Sequence, residues 1–255
     1  MLILENTPQG SVDWIVARLW RLTGSEMKRN ITSTGKLSRS QASVDAVDKL
    51  IAGIDAAKAV IRLYKEAEKT GRQIDEWELG KFIAHYTGDK FKGSLHTERG
   101  NELEPDAIAA LSEKIGMPIV DVGMCIIGDH ENGVISCSPD GLIYDARGIL
   151  SAGAELKCPT KAVYYGIVAD DVLPEDYKLQ VHSSMAICEV DIWHFGAYFK
   201  NEPIFYKQVR RDAFTDTVQK SLQEFQGFYA DRFAAVKKGM AALNADKPLA
   251  LEGAA

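Results

Sequence analysis

Two short strings concentrate the reactive side chains of this chain: Ser138-Pro139-Asp140-Gly141 and Glu155-Leu156-Lys157. On a strand, side chains alternate faces, so Glu155 and Lys157 share one side while Leu156 turns into the core. A carboxylate and an ammonium then stand together. Asp140 lies at a turn fifteen residues before Glu155, close enough for a returning strand to bring the two carboxylates side by side. Neighbouring carboxylates repel, and such a pair needs a proton, a basic partner or a divalent cation. Mg²⁺ suits that need, since it is held by one or two carboxylates together with water and a substrate phosphate. Each string also has an ordinary reading. Ser-Pro-Asp-Gly is a common turn, and Glu155–Lys157 is compatible with a solvated edge-strand pair worth under about 1 kcal/mol.

The elements that must position these residues are legible from periodicity. Ser11 caps a first helix with Val12, Ile15, Leu19 and Leu22 on its apolar face and Gly24 at its end, while Trp14, Arg18 and Arg21 turn elsewhere. Residues 31–40 read as a mobile basic loop. Val44 through Tyr64 follow helical spacing toward Gly71, and a further helix over about 97–115 carries Arg99 and Glu104, with Pro105 inside it. Short β-prone runs at 122–128, 133–138, 141–146 and 153–159 read as a meander. A helix from about Pro174 to Cys188 carries Gln180, strands follow near 190–200 and 203–210, and a helix from Phe214 closes near Gly239.

In this order the two strings, followed by a helix with Gln180, resemble the PD-(D/E)XK nuclease superfamily. More specifically the chain resembles the lambda exonuclease family of phage recombination nucleases. The landmarks are RGNELEPDA (99–107), CSPDGL (137–142), ELKCP (155–159), LQVHSSM (179–185) and the Trp14, Arg18, Ser25 spacing in WIVARLWRLTGS. Departures are a long 30–95 segment, His182 at a polar position, and Pro105 directly after Glu104. The resemblance implies an α/β nuclease core with a mixed central sheet flanked by helices. It implies that Asp140, Glu155 and the backbone carbonyl of Leu156 hold Mg²⁺, for which Mn²⁺ substitutes, and that Glu104 helps hold a second ion. Lys157 would stabilise charge or take a proton, and Gln180 would aim its amide at the attacking water or the phosphate. Arg18, Ser25 and Ser138 would bind a terminal 5′-phosphate, Arg18 through its fork of donors. Taken alone, Gln180 reads as a core-facing polar residue and Arg18 as a solvated one.

The implied activity is Mg²⁺-dependent 5′-to-3′ degradation of one strand of duplex DNA to 5′-mononucleotides. A homotrimeric ring, a single-strand annealing partner and a phage or prophage origin in a bacterial cytoplasm come with it. Competing readings are a structure-specific or restriction-type endonuclease on the same core, separated by its ability to cut closed circles, and a non-catalytic DNA-end-binding protein.

Composition bounds these readings. The 255 residues, 46% hydrophobic and 26% charged, suit one domain over 1–243, with a helical part at 1–120, a catalytic core at 121–243 and a flexible tail at 244–255. Net charge is −6, yet Arg18, Arg21, Lys28, Arg29, Lys36 and Arg39 against Glu26 make the stretch from Trp14 to Ser43 +5, leaving −11 elsewhere. That segment reads as a phosphate-binding face or as a solvated loop. Cys125, Cys137, Cys158 and Cys188 form no CxxC pair or tight cluster in sequence, which disfavours a zinc ribbon, an iron–sulfur site or a secreted disulfide scaffold. His85, His96, His130 and His194 lack ligand spacing. The N-terminal residues contain no apolar run suited to a signal peptide or membrane span.

Overall fold

The computed structural model describes residues 1–5, 7–88 and 95–245; for 95–101 and Ala245 it describes the backbone alone. Two four-stranded sheets form the centre of a mixed α/β fold. The first contains β1 (Leu2–Leu4), β2 (Leu22–Thr23), β3 (Met124–Ile126) and β4 (Ile135–Cys137), in the order β1-β3-β4-β2. The second contains β5 (Gly141–Tyr144), β6 (Leu150–Lys157), β7 (Ile192–Ala197) and β8 (Phe205–Arg210), in chain order. There β6 runs antiparallel to β5 and parallel to β7. The expected meander is thus split: β3 and β4 pair in one sheet, β5 and β6 in the other, and Ser138-Pro139-Asp140 crosses between them.

Seven α-helices accompany the sheets among the described residues: α1 (Val12–Arg18), α2 (Gln41–Thr70), α3 (Glu76–Thr87), α4 (Leu95–Ile115), α5 (Lys161–Asp170), α6 (Glu175–Cys188) and α7 (Ala213–Ala245). Ser11 caps α1 as expected, its hydroxyl accepting from the Trp14 N–H. The helix stops at Arg18, however, and Gly24 opens a 3₁₀ turn instead of ending a helix. Gly71 ends α2 in the left-handed conformation that glycine adopts cheaply (φ +66°). Gly239 does not end α7, which continues to Ala245; the remaining tail, 246–255, lies outside the described residues.

Residues 31–40 are not a loose loop. Ile31 bridges to Leu37, Thr32 N–H donates to Lys36 O, and Leu37 N–H donates to Ser221 Oγ on α7. Arg21 also departs from its expected surface position. Only 2% exposed, it donates to the backbone oxygens of Gly133, Ala17 and His130 and stacks on Trp20.

Helix α6 organises the core. Val181, Met185, Ala186 and Ile187 are buried against Cys125, Cys137, Trp193, Phe195, Leu222 and Phe225, so the helix is clamped between both sheets and α7. Leu156 packs on the other face of β6, with Ala107 and Leu111 of α4. Burial of these apolar surfaces fixes the helices that carry Gln180 and Glu104 to opposite sides of the strand bearing Glu155 and Lys157.

Candidate active site

Strand β6 presents Glu155 and Lys157 on one side, as its two-residue period requires. The Lys157 ammonium donates to Glu155 Oε1. Gln180 on α6 donates its Nε2–H to the same oxygen at 2.6 Å, so its amide orients the carboxylate, a contact that differs from the expected reach toward water or phosphate. Glu155 is 1% exposed, and its Oε2 is buried without a hydrogen-bond partner. The Leu156 N–H donates to Asp140 Oδ2, and Asp140 N–H donates to Ala154 O at 3.2 Å. The Ser-Pro-Asp-Gly turn is thereby zipped onto β6, beside the Glu-Leu-Lys string. Gly141 lets the Ile119–Val120 segment lie close against the other side of this turn, because a Cβ there would lie 2.2 Å from Ile119 Cγ2.

Electrostatics mark the place as crowded with negative charge. Burial, then the neighbouring Glu155 carboxylate, push Asp140 up to about 7. Burial, then Asp140 and Asp121, raise Glu104 above its ordinary value, so Glu104 on α4 responds to the same carboxylates although Pro105 follows it within the helix. Burial opposes the charge on Lys157, but Glu155 and Asp140 outweigh it and hold the ammonium above its ordinary pKa.

Asp121 is an acidic neighbour that motif spacing does not reveal. Val120 and Leu142 exchange backbone hydrogen bonds of 2.8 Å, which brings Asp121 alongside Asp140-Gly141. Tyr177, one turn before Gln180, stacks on Phe195 and places its ring 5.5 Å from the Lys157 ammonium.

The donor set fits a divalent cation. Asp140 and Glu155 offer hard carboxylate oxygens that repel one another beside Lys157, Glu104 responds to the charge of Asp140 and Lys157, and Glu155 Oε2 lacks a donor; a hard cation would relieve the repulsion and fill the vacant lone pairs.

A second polar cluster lies two residues upstream of Asp140. Arg18 donates to Ser138 Oγ and Thr23 Oγ1 at 3.4 Å and to Ser25 Oγ at 3.2 Å, and Trp14 Nε1 donates to Ser138 Oγ at 3.0 Å. The guanidinium lies 4.2 Å from the Trp14 ring centroid. Burial lowers its pKa to about 10, with Glu26 opposing the shift, so it is charged at neutral pH. An open cavity of about 240 Å³ adjoins it, lined by Trp14, Arg18, Thr23, Arg29 and Lys49 among others. Arg18, Ser25 and Ser138 therefore converge; Trp14 and Thr23 complete the cluster. All three share a small hydroxyl-rich surface capable of holding an anion.

His182, the departure on the Gln180 helix, faces away from this chemistry. It is buried against α7, with Nδ1 2.7 Å from Thr215 Oγ1 and its ring edge-on to Phe214. His194 pairs with Tyr206 OH at 3.0 Å. The side chain of His96 lies outside the described residues. Cysteines scattered in sequence behave differently: Cys125, Cys137 and Cys188 meet in the core.

Comparison with solved structures finds the alkaline exonuclease LHK-Exo from Laribacter hongkongensis, with a TM-score of 0.63 and 20% identity over 91% of this chain and 100% of that one. The same enzyme in complex with dAMP matches with a TM-score of 0.63 and 19% identity over the same shares. At such identity the likeness establishes a common fold. No curated protein sequence matches this chain significantly. A family model described as the YqaJ-like viral recombinase domain matches residues 13–191, in keeping with the resemblance carried by the ordered motifs. Because that match spans well over half of the 255 residues, the chain belongs to the YqaJ-like viral recombinase domain family.

Proposed function

We propose that this protein is a DNA exonuclease that degrades one strand of a duplex from its 5′ end, requires Mg²⁺ and releases 5′-mononucleotides. Membership of the recombinase family and the fold shared with an alkaline exonuclease support the exonuclease reading. One observation carries the polarity and the product. The anion-suited cluster around Arg18 and Ser138 is only two residues from Asp140, a span of at most about 7 Å in extended chain. A terminal phosphate gripped at Arg18 sets the next phosphodiester near Asp140 and Glu155, so each cut frees a single nucleotide bearing its 5′-phosphate.

Asp140, Glu155 and the Leu156 carbonyl would hold Mg²⁺, with Glu104 toward a second ion and Mn²⁺ as a substitute. When bound, such ions polarise the scissile phosphate and lower the pKa of water. The chain's own groups do the rest. Lys157, kept charged by Glu155 and Asp140, stabilises negative charge growing on the phosphate, and its raised pKa makes it a poor proton acceptor. Gln180 fixes the Glu155 carboxylate. Arg18 and the hydroxyls of Ser25 and Ser138 orient the end. A homotrimer around the duplex, a single-strand annealing partner and action in a bacterial cytoplasm complete the reading.

The deciding experiment is digestion of linear duplexes ending in 5′-phosphate or 5′-hydroxyl, and of a covalently closed circle, with Mg²⁺ or Ca²⁺. Mononucleotide release from the phosphorylated ends with Mg²⁺ alone is expected. Cutting of the closed circle would transfer the protein to the endonucleases, and absence of any Mg²⁺-dependent release would leave an end-binding protein.

A further inference from the structure

Away from the carboxylates, the fold gathers three thiols from distant parts of the sequence. Cys125 and Cys137 face each other as partners across β3 and β4, and Cys188 is the last residue of α6. All three are free, and none is more than 2% exposed. Their sulfur atoms lie within 4.8 Å of one another, with Cys137 Sγ and Cys188 Sγ 3.6 Å apart. We infer that Cys125, Cys137 and Cys188 form a binding site for one thiophilic d¹⁰ metal ion of the zinc class.

The spacing suits the chemistry. Sulfur ligands about 2.3 Å from a central ion stand about 4 Å from one another when arranged as a triangle, which falls inside the range these thiols already occupy. Soft sulfur donors select zinc-class ions and copper(I) over the hard ions preferred by carboxylates, so this site and the Asp140–Glu155 site do not compete for the same metal. Binding releases the S–H protons to solvent and sets three thiolates on one divalent ion, leaving a single negative charge. The amino terminus and Arg18 supply positive charge toward Cys125 and Cys137 respectively. Hydrogen bonds from Cys137 and Cys188 lower the Cys125 thiol to about 5 against the opposing effect of burial, whereas burial pushes the Cys137 thiol up and the hydrogen bond with Cys125 pushes Cys188 up, so the cluster as it stands holds one sulfur anion and two thiols.

The placement gives occupancy a consequence. Cys137 ends the strand that runs straight into Ser138 and Asp140, and Cys188 ends the helix that carries Gln180. An ion bridging them ties the end-binding turn to the helix behind Glu155. The competing account is that three small apolar side chains merely fill the core among Met185, Trp193 and Phe195.

Titration of the full-length, reduced and chelator-treated protein with Cd²⁺, followed by its sulfur-to-metal ultraviolet absorption, separates the two. One equivalent per chain with a thiolate band is expected, displaceable by Zn²⁺, unchanged in Cys158→Ser and in Glu155→Gln. The band is expected to vanish in Cys125→Ser and Cys188→Ser. Because a buried hydroxyl can itself unfold the core, Cys188→Ala is measured alongside, with circular dichroism as the check on folding. Tm should rise with Zn²⁺ in the wild type and stay unchanged in Cys188→Ala, as ligand linkage requires. No thiolate band at equimolar Cd²⁺, or an undiminished band in folded Cys188→Ala, overturns the assignment.

Discussion

Glu155 is the residue on which the site converges: one oxygen takes hydrogen bonds from Lys157 and Gln180, and the other, buried without a hydrogen-bond partner, is the one the proposed cation would take. Glu155→Gln removes the charge and keeps the shape, so loss of Mg²⁺-dependent turnover with an unchanged circular dichroism spectrum is expected. Lys157→Ala should cost about 3 kcal/mol of barrier, on the order of a hundredfold in kcat, read by nucleotide release under saturating duplex. Asp140 gives a pH signature. Its folded pKa, near 7, is raised above that of the unfolded chain, so the folded state holds its proton more tightly between about pH 4 and pH 7. Stability from this group is therefore complete below the unfolded pKa and is lost as pH rises through 7. Asp140→Asn, free of divalent ions, should raise Tm above wild type at pH 8, with the gain fading toward pH 4; an equal Tm across that range would mean the carboxylate is not strained. At this scale strand period sets Glu155 beside Lys157, while Asp140 was legible as part of the site only through the order of the two strings and the family resemblance that the order carries. Asp121 was not, since it arrives through a backbone bridge that leaves no spacing in the sequence, and Tyr177, though one turn from Gln180, is an aromatic residue whose type does not single it out.

The long amphipathic helices were readable because their apolar residues repeat over many turns, as along α2 from Ala46 to Ala67. Helices α3 and α5 escaped the reading, whereas the shorter α1 was marked by its Ser11 cap. Helix α5, Lys161–Asp170, is short and rich in Val and Tyr, residues equally at home in a strand. The meander failed for a different reason: four β-prone runs in succession do not say which pair within a sheet, and tertiary packing around α6 decided it. Close contact between elements is also invisible in pattern. At Gly53, in the middle of α2, a Cβ would lie 1.9 Å from the Leu19 carbonyl oxygen, immediately after the helix that bears Arg18. Gly53→Ala must therefore push α1 from α2. A loss of about 1–3 kcal/mol in urea unfolding is expected, together with a weakened preference for 5′-phosphorylated ends, because the displaced residue is the neighbour of Arg18. Retention of both would show that α1 adjusts independently of the Arg18 cluster.

Over the whole molecule the question is how a chain of net charge −6 holds a polyanion. Burial of Arg21 removes one cation from the basic segment, and Glu26 pairs with Arg29, so the outward charge rests largely on Lys28, Lys36 and Arg39, all exposed. One such set is a weak grip, since nonspecific affinity grows with the number of phosphates neutralised. The proposed ring of three copies around one duplex would multiply the contacts and prevent escape between cuts. Light scattering should accordingly give three times the 28.1 kDa chain mass. Exchanging Lys28 and Lys36 for Ala should weaken duplex binding and flatten its dependence on salt by about one unit of log–log slope for each phosphate left without its cation. The same variant should keep the wild-type ratio of rates on 5′-phosphate and 5′-hydroxyl ends, because Arg18 is partly buried and less screened than the exposed lysines. Arg18→Ala should do the reverse, erasing a preference of at least about tenfold that follows from charge-assisted hydrogen bonds worth roughly 1.5–3 kcal/mol each, while leaving the salt slope nearly intact. A monomer that still degrades long duplexes processively, or lysine variants that lose the end preference along with affinity, would mean that holding the duplex and reading its end are one function of a single surface.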